Sequence, residues 1–506
     1  MTKMNITIIG SGAASTLTLI EILQKLELQN DKNKKISIAV IEKTGEYLKG
    51  IPYGKRSSVN ALIITSVHDF IFEPEKPLFY KWLTETVHEW TEFYRNEGGE
   101  IAERWLENNL PLIMAHDWEK VYIPRFLFGD YLTYKCNAIL ERVSSENLVD
   151  FHMIQAEVID IVPFENNSYQ IIMENPDGSS NSIVSQKTVI ATGSAPVKEI
   201  FHTNSEQLCY INDIYEPSVK ENFQKLEKHL SKKSDSQILL VGSNASSIEL
   251  LYLIGGTASL RNKIKQIHIL SISGALPVAT STIKLNEYPT PNLNKVESLG
   301  TFSILELVDA SAADIRIAVQ EEANMDHVAT IIGKTLNLMQ DMSQEDHQMF
   351  YAVHAIKLRN MFRRTGPEYY GASKKWLAEN AFEIIKGKFI AAENASEVFS
   401  LQYSKTGSNT SVIHSTKFDA LINCTGSDDL IQSSSKLLYN LVNKNICQMN
   451  LSGKGFVVNE QFEAAPNLYV IGPLLGGNKN KLIHFWQLEN VARLSYLAPY
   501  LVKELL

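Results

Sequence analysis

The chain has 506 residues, 44% hydrophobic and 21% charged, with 48 basic against 57 acidic side chains and a net charge of −9. At about 150 residues per domain this is roughly three domain-equivalents of ordinary globular composition, which excludes a disordered chain, and the mild acidity argues against nucleic acid as the main partner. The four cysteines, Cys136, Cys209, Cys424 and Cys447, lie far apart with no C-x-x-C, which excludes a disulfide framework, a zinc ribbon and a dithiol redox pair and suits a reducing cytoplasm.

In chain order, Ile6–Ile9 reads as a short β-branched strand and Gly10-Ser11-Gly12-Ala13-Ala14-Ser15 as a turn. Leu17, Ile20, Leu23 and Leu26 recur at helical spacing, predicting a helix from Ala13 to about Leu28. A charged loop at 30–35 leads to a second strand, Ile36–Ile41, ending at Glu42. Residues about 50–135 carry Trp82, Trp90, Trp105 and Trp118 and read as a helical insertion. Short β-rich runs from about 151 to 191, broken by Asn175-Pro176-Asp177-Gly178, predict a β-meander closing on Thr188–Ala191 and then Thr192-Gly193. A second strand–turn–helix start follows at Gln237–Val241 and Gly242-Ser243-Asn244-Ala245-Ser246-Ser247, with Gln266–Leu270 as its next strand. Residues about 300–385 read as mostly helical, and a late strand ends at Cys424-Thr425-Gly426. The tail gives Leu468–Gly472 and a long helix from about Leu482. No apolar run is long enough to cross a membrane and no leader is expected.

Gly10-x-Gly12-x-x-Ser15 sits between a strand and a helix, the context that makes such a turn a dinucleotide site. Gly10 allows the tight turn, and Gly12 lets backbone approach a pyrophosphate at the helix N-terminus, where Ala13 and Ala14 follow. Ser15 replaces the third glycine with another small residue. Glu42, at the end of the second strand, is the acceptor for the adenosine ribose. The turn's place at the start of the chain, the meander, and two later strands ending in Thr-Gly point to FAD rather than NAD. The second turn, around Gly242, Asn244 and Ser246, would hold a nicotinamide dinucleotide. Its second glycine is Asn244, which tolerates a left-handed backbone but crowds a pyrophosphate. Its second strand ends Ser271-Ile272-Ser273-Gly274, with neither an acid for a ribose nor an arginine for a 2′-phosphate. A vestigial nucleotide fold is the competing reading of this half.

Several motifs then fall in one order along nearly the whole chain. They are Ile8–Ala14, Gly50-Ile51-Pro52-Tyr53-Gly54, the run Tyr122–Leu132, Ile190–Gly193, Leu240–Ser243, Arg363–Pro367, Ile422–Gly426 and Asn467–Pro473. In this the chain resembles the FAD/NAD(P)-binding oxidoreductases related to the lysine- and ornithine-type N-hydroxylating flavin monooxygenases. The resemblance implies an α/β fold with two Rossmann-like dinucleotide-binding domains, the first discontinuous, plus a β-meander and a helical insertion. It places FAD on residues 1–200 (helical insertion about 50–135), NAD(P)H on 201–410, and the return to the FAD domain at 411–506. The cofactor residues it implies are Gly10, Gly12, Ala13, Ala14, Ser15, Glu42, Tyr53, Arg125, Val158, Thr192, Gly193, Gly242, Asn244, Ser246 and Gly472. Two stretches depart from it: Leu62–Val67 where related chains often carry Leu-Asn-Val-Pro-Ala, and Ile272-Ser273 where they often carry an arginine pair.

The expected function is oxygenation of a small amine-type nucleophile by an FAD- and NAD(P)H-dependent monooxygenase, with molecular oxygen as co-substrate and no catalytic acid or base identified. The alternatives are a flavin oxidase or dehydrogenase without NAD(P)H, and a non-catalytic nucleotide-binding sensor. His68, Arg363, Arg364, His484 and Trp486 are weaker pocket candidates, and Cys424 reads as a buried structural thiol. No metal-ligand, serine-hydrolase or Walker motif occurs.

Overall fold

The protein is described here as a computed structural model covering residues 2–506 apart from 29–34, 204–206, 244, 280–289, 322, 324, 409 and 481–489. Asn244, His484 and Trp486 therefore lie outside the described residues. The chain opens with β1 (Lys3–Ile9), α1 (Ala13–Leu28) and β2 (Ile36–Glu42). The predicted helix and both strands form there because their β-branched and 3.6-spaced apolar residues are buried, Ile6, Ile38 and Val40 on the strands and Leu19 and Leu23 on the helix. Helices α2 (Gly50–Tyr53), α3 (Val67–Phe70), α4 (Glu75–Glu85), α5 (Val87–Met114) and α6 (Phe126–Ser145) make the helical insertion. Its core is aromatic: Phe128 meets Tyr53, Phe70 and Phe79 edge-on, with centroids 4.9–5.6 Å apart.

Strands β3 (Val149–Gln155), β4 (Glu157–Pro163), β5 (Tyr169–Glu174) and β6 (Ser180–Ile190) follow. β3 adds parallel to β2, whereas β4, β5 and β6 form the antiparallel meander. β6 serves two layers: its first half pairs with β5, and its second half runs parallel to β1.

The second unit contains β7 (Cys209–Ile211), α7 (Val219–Leu230), β8 (Ser236–Val241), α8 (Ala245–Gly256), α9 (Ala258–Arg261), β9 (Ile264–Ser271) and β10 (Val278–Ala279). A helical segment then runs through α10 (Pro291–Ser298), α11 (Ile304–Gln320), α12 (Met325–Leu338), α13 (Gln344–Met349), α14 (Ala355–Met361), the short strand β11 (Arg364–Thr365) and α15 (Pro367–Ala378). This segment has its own small core around Leu307, Ile315, Ile331 and Phe350. Strands β12 (Phe382–Asn394), β13 (Phe399–Lys405), β14 (Ser411–Phe418) and β15 (Ala420–Asn423) complete the second sheet, in the order β14-β13-β12-β9-β8-β15-β7.

The expected return to the first domain at residue 411 is corrected by this pairing. β14 lies against β13, and β15 inserts parallel between β8 and β7, so the second sheet closes only at Asn423. The chain re-enters the first domain with α16 (Lys436–Asn443), β16 (Glu463–Ala465), β17 (Leu468–Val470) and α17 (Val491–Leu505). β17 runs parallel to β6, and the first sheet has the order β16-β17-β6-β1-β2-β3. No described helix is long and apolar enough to cross a membrane.

Candidate functional site: two dinucleotide turns and the contact between them

The two turns are built to one plan. Gly10 has φ +95°, and a Cβ placed there would lie 2.6 Å from the Ala191 carbonyl oxygen. Gly242 has φ +109°, and its Cβ would lie 2.4 Å from the Cys424 carbonyl oxygen. Each glycine thus lies against a strand end followed by Thr-Gly, and each needs both a left-handed backbone and the space of a missing side chain. The Gly10 N–H donates to Ile41 and the Gly242 N–H to Leu270, both at 2.8 Å. The Ala191 N–H donates to Ile9 and the Cys424 N–H to Val241, again both at 2.8 Å.

At the first turn, the N–H groups of Gly12, Ala13, Ala14 and Ser15 meet no protein acceptor among the described residues. They form the open donor end of α1, with the positive end of the helix dipole behind them. Ser15 is 1% exposed, so its small side chain serves helix–strand packing. Gly12 also faces Gly50, whose own Cβ would fall 2.6 Å from the Gly12 Cα. Glu42 Oε2 accepts from the Ser11 N–H at 3.1 Å, and Oε1 accepts from the Thr44 N–H and hydroxyl at 3.0 and 2.9 Å. Three of about four acceptor sites are used, which leaves the carboxylate room for a ribose hydroxyl. Gly193, left-handed at φ +79°, has open space where a side chain would be, Thr192 beside it is exposed, and Gly472 at φ +91° comes within contact of Ala14. Free helix-end donors, a strand-end carboxylate and a glycine-lined approach fit a dinucleotide.

The second turn differs at one decisive place. By register Val241 pairs with Leu270 as Ile9 pairs with Ile41, so Ser271 holds the position of Glu42. Its hydroxyl meets Ser243 Oγ at 2.7 Å and Ser273 Oγ at 3.0 Å, and accepts from the Gly274 N–H at 3.2 Å. Ser247 donates to the Gly242 carbonyl at 2.5 Å, and Ser246 is half-buried on the first turn of α8. A cation with no local sequence signal stands beside this strand end. Lys386 of β12 pairs with Ser271 in register, its stem lies 3.0 Å from where a Gly274 Cβ would be, and its side chain is otherwise exposed.

Three further expected cofactor residues have protein partners of their own. Arg125 Nη2 pairs with Glu249 Oε2 at 2.8 Å and donates to Ser57 Oγ at 2.9 Å. Glu249 lies on α8 of the second unit, so this is a charge pair between the two domains. Tyr215 donates to Glu249 Oε1 at 2.9 Å. The Tyr369 hydroxyl sits 3.2 Å from Glu249 Oε2 and accepts from the Leu62 N–H at 2.7 Å. Burial is the largest single influence on Arg125 and works against its charge, but Glu249 together with Tyr215 and Tyr369 outweighs it, and the arginine's pKa is raised. Tyr53 is 8% exposed inside the aromatic core, and burial pushes its phenol up to about 12. Gly129 is what admits it, since a Cβ there would strike the Tyr53 carbonyl oxygen at 2.4 Å. Val158 is 6% exposed on β4, opposite Met173 in the meander core.

The weaker candidates are also placed. His68 is half-buried on α3 with its backbone bonded to Trp118, and Arg364 of β11 donates to the Ala323 carbonyl at 2.9 Å. Cys424 is a buried free thiol whose pKa burial pushes up to about 12, which makes it inert at neutral pH. The Glu249 network was not legible in the sequence, because its members are scattered from residue 57 to residue 369 with no motif among them.

A family model described as FAD-NAD(P)-binding matches residues 7–195. Uncharacterized proteins of Mycobacterium tuberculosis and Mycobacterium bovis are 32% identical to this chain over 513 residues, covering 99% of it and 95% of their own length. Among solved structures, an ornithine N-hydroxylase of Kutzneria sp. 744, described with reduced FAD, NADP+ and L-ornithine, superimposes with a TM-score of 0.56 at 13% identity, over 99% of each chain. The FAD-bound cadaverine monooxygenase of Erwinia amylovora gives 0.55 at 12% identity over 100% of this chain and 95% of that one. An L-lysine 6-monooxygenase of Pseudomonas syringae gives 0.56 at 12% identity over 99% of each. The overall two-sheet fold is thus one these hydroxylases share, and the chain belongs to one family with the two mycobacterial proteins, its residues 7–195 matching the FAD-NAD(P)-binding model.

Proposed function

We propose that the protein is an FAD-dependent monooxygenase that takes its electrons from NADPH and oxygenates a small amine-type nucleophile. The observation that carries this reading is the duplicated turn: the second site keeps the glycine, the strand-end contact and the backbone bonds of the first. A fold retained only as scaffold has no need of a left-handed glycine pressed against the next strand. FAD, when bound, supplies hydride acceptance and the activation of oxygen. The chain's own share is binding and orientation. The α1 donors and Gly12 hold the pyrophosphate, Glu42 the ribose, and Gly193 and Gly472 give the dinucleotide backbone-only surfaces to lie along. Ser271 and Ser273, with Lys386 beside them, suit a 2′-phosphate better than a bare ribose, because hydroxyls donate to a phosphate and the ammonium balances its charge. The helical insertion and Tyr53 shield the site from water. The amine class of substrate is supported by the fold shared with hydroxylases of ornithine, lysine and cadaverine.

Purified protein should carry a flavin band near ~450 nm or acquire it with added FAD. Mixed anaerobically, NADPH should bleach that band faster than NADH. A colourless protein that takes up no FAD would remove the proposal. One observation favours a second reading, an oxidase or dehydrogenase reduced by its own substrate: the carboxylate of the first turn has only Ser271 as its counterpart. Flavin that neither nucleotide reduces would select that reading.

A further inference from the structure

Away from both turns, three ligand-type side chains converge on the outer part of the second sheet. His268 lies on β9, Glu383 is its direct register partner on β12, and His414 lies on β14. One nitrogen or oxygen from each lies within 4.8 Å of the others. We propose that His268, Glu383 and His414 form a binding site for a divalent transition metal of the zinc class.

His268 is 1% exposed, and its two ring nitrogens have different duties. Nε2 faces Gln237 Oε1 at 2.8 Å, so it carries the proton and donates. Nδ1 faces Glu383 Oε2, 3.1 Å away. With Nε2 as the donor, a cation belongs between that nitrogen and the carboxylate, and either a second ring proton or a metal ion can fill the place. Gln237 is the kind of outer partner that fixes the tautomer and direction of a metal-bound histidine.

His414 closes the site from the hairpin side. Its ring lies 5.8 Å from that of His268, centroid to centroid. Its Nδ1 accepts from the Thr416 N–H at 3.2 Å, a long bond that ligation exchanges for the metal. Tetrahedral nitrogen and oxygen ligands at about 2.1 Å sit roughly 3.4 Å apart, and the exposed Glu383 and half-buried His414 have the freedom to close that far. Two nitrogens and one oxygen suit zinc rather than magnesium or calcium, which prefer oxygen alone. Glu383 and His414 line a cavity of about 410 Å³ together with Tyr403, Lys386 and Lys405. The lysines oppose a cation, so the carboxylate is indispensable. Bound metal would staple β14 to the parallel strands β9 and β12.

The test is equilibrium dialysis of the untagged, flavin-loaded chain against zinc(II) with a competing chelator, followed by metal analysis. About one zinc per chain is expected, with three protein ligands and an open fourth position. Glu383→Gln and His414→Ala, at sites outside the tightly packed core, should each abolish that binding while leaving the circular dichroism spectrum unchanged. Gln237→Leu should weaken it about 10- to 100-fold, the usual cost of losing an outer partner. Zinc should raise the melting temperature of the wild type and not of His414→Ala. No binding by the wild type, or undiminished binding by either ligand variant, overturns the site.

Discussion

The two glycine turns share their first glycine and part at the end of the next strand. Glu42 closes the first strand pair and Ser271 the second, while the leading glycines, backbone bonds and following strand ends correspond. The shared parts are backbone geometry, which any dinucleotide requires. The differing part faces the adenosine ribose, where one cofactor is told from another. What the pair teaches is that nucleotide binding and nucleotide choice are separable, the first written in glycines and the second in the residue that ends the next strand.

Substitutions at the turns and at the contact between them would break or sharpen that contrast. The largest effect belongs to the glycines. Gly10→Ala and Gly242→Ala each combine a left-handed alanine, about 1–3 kcal/mol, with a Cβ forced into backbone, about 1–3 kcal/mol more. Urea unfolding should show both losses, and only Gly10→Ala should also empty the protein of FAD. Next is the contact joining the two halves. Glu249→Leu leaves Arg125 charged, largely buried and without its partner carboxylate, a change worth about 3–5 kcal/mol, measurable in the same unfolding experiment. If Arg125→Met in the same chain restores much of the loss, the cost was an uncompensated charge; if it restores none, the pair matters only as packing.

Smaller effects fall on the cofactors. Glu42→Gln should weaken FAD by about 1.5–3 kcal/mol, the worth of hydrogen bonds to a charged group, read by fluorescence titration of the apoprotein. Ser271→Glu would make the second strand end resemble the first and should turn the preference from NADPH toward NADH. The least change is expected of Lys386→Met, about 1 kcal/mol or fivefold in the apparent affinity for NADPH and none for NADH, because an exposed charge is screened. Anaerobic flavin reduction with each nucleotide checks both.

Much of the architecture could be read from the chain. The first helix was bounded at Ala13 and Leu28 by apolar spacing, and both turns by glycines between β-branched runs and helices. The boundary at 411 was misread because β14 and β15 look, residue by residue, like any half-buried strands. Only pairing with β13 and β8 assigns them to the second sheet. The partner of Arg125 stayed hidden for a related reason. A Pro-Arg-aromatic run shows a cation at a helix start, but its partner carboxylate lies 124 positions onward, on a helix whose other signals all concern the turn before it. Lys386 reaches Ser271 only because β12 pairs with β9 across the helical segment. Local periodicity gives elements; neither charge pairing nor strand neighbours across such distances leave a local trace.

The buried Arg125–Glu249 pair bears on how the enzyme can move. Swinging the two halves apart would strand a carboxylate and a guanidinium in apolar surroundings unless water followed them in, so small openings are penalised more than complete ones. Such a pair favours a closed joint over a partly opened one. Because Glu249 rides on the helix that begins at the second turn, whatever a nucleotide does to that helix is felt at Arg125, at the start of a helix of the first domain. Should a nucleotide at the second turn shift that helix and change the affinity of the first site, reciprocity requires the same factor in both directions.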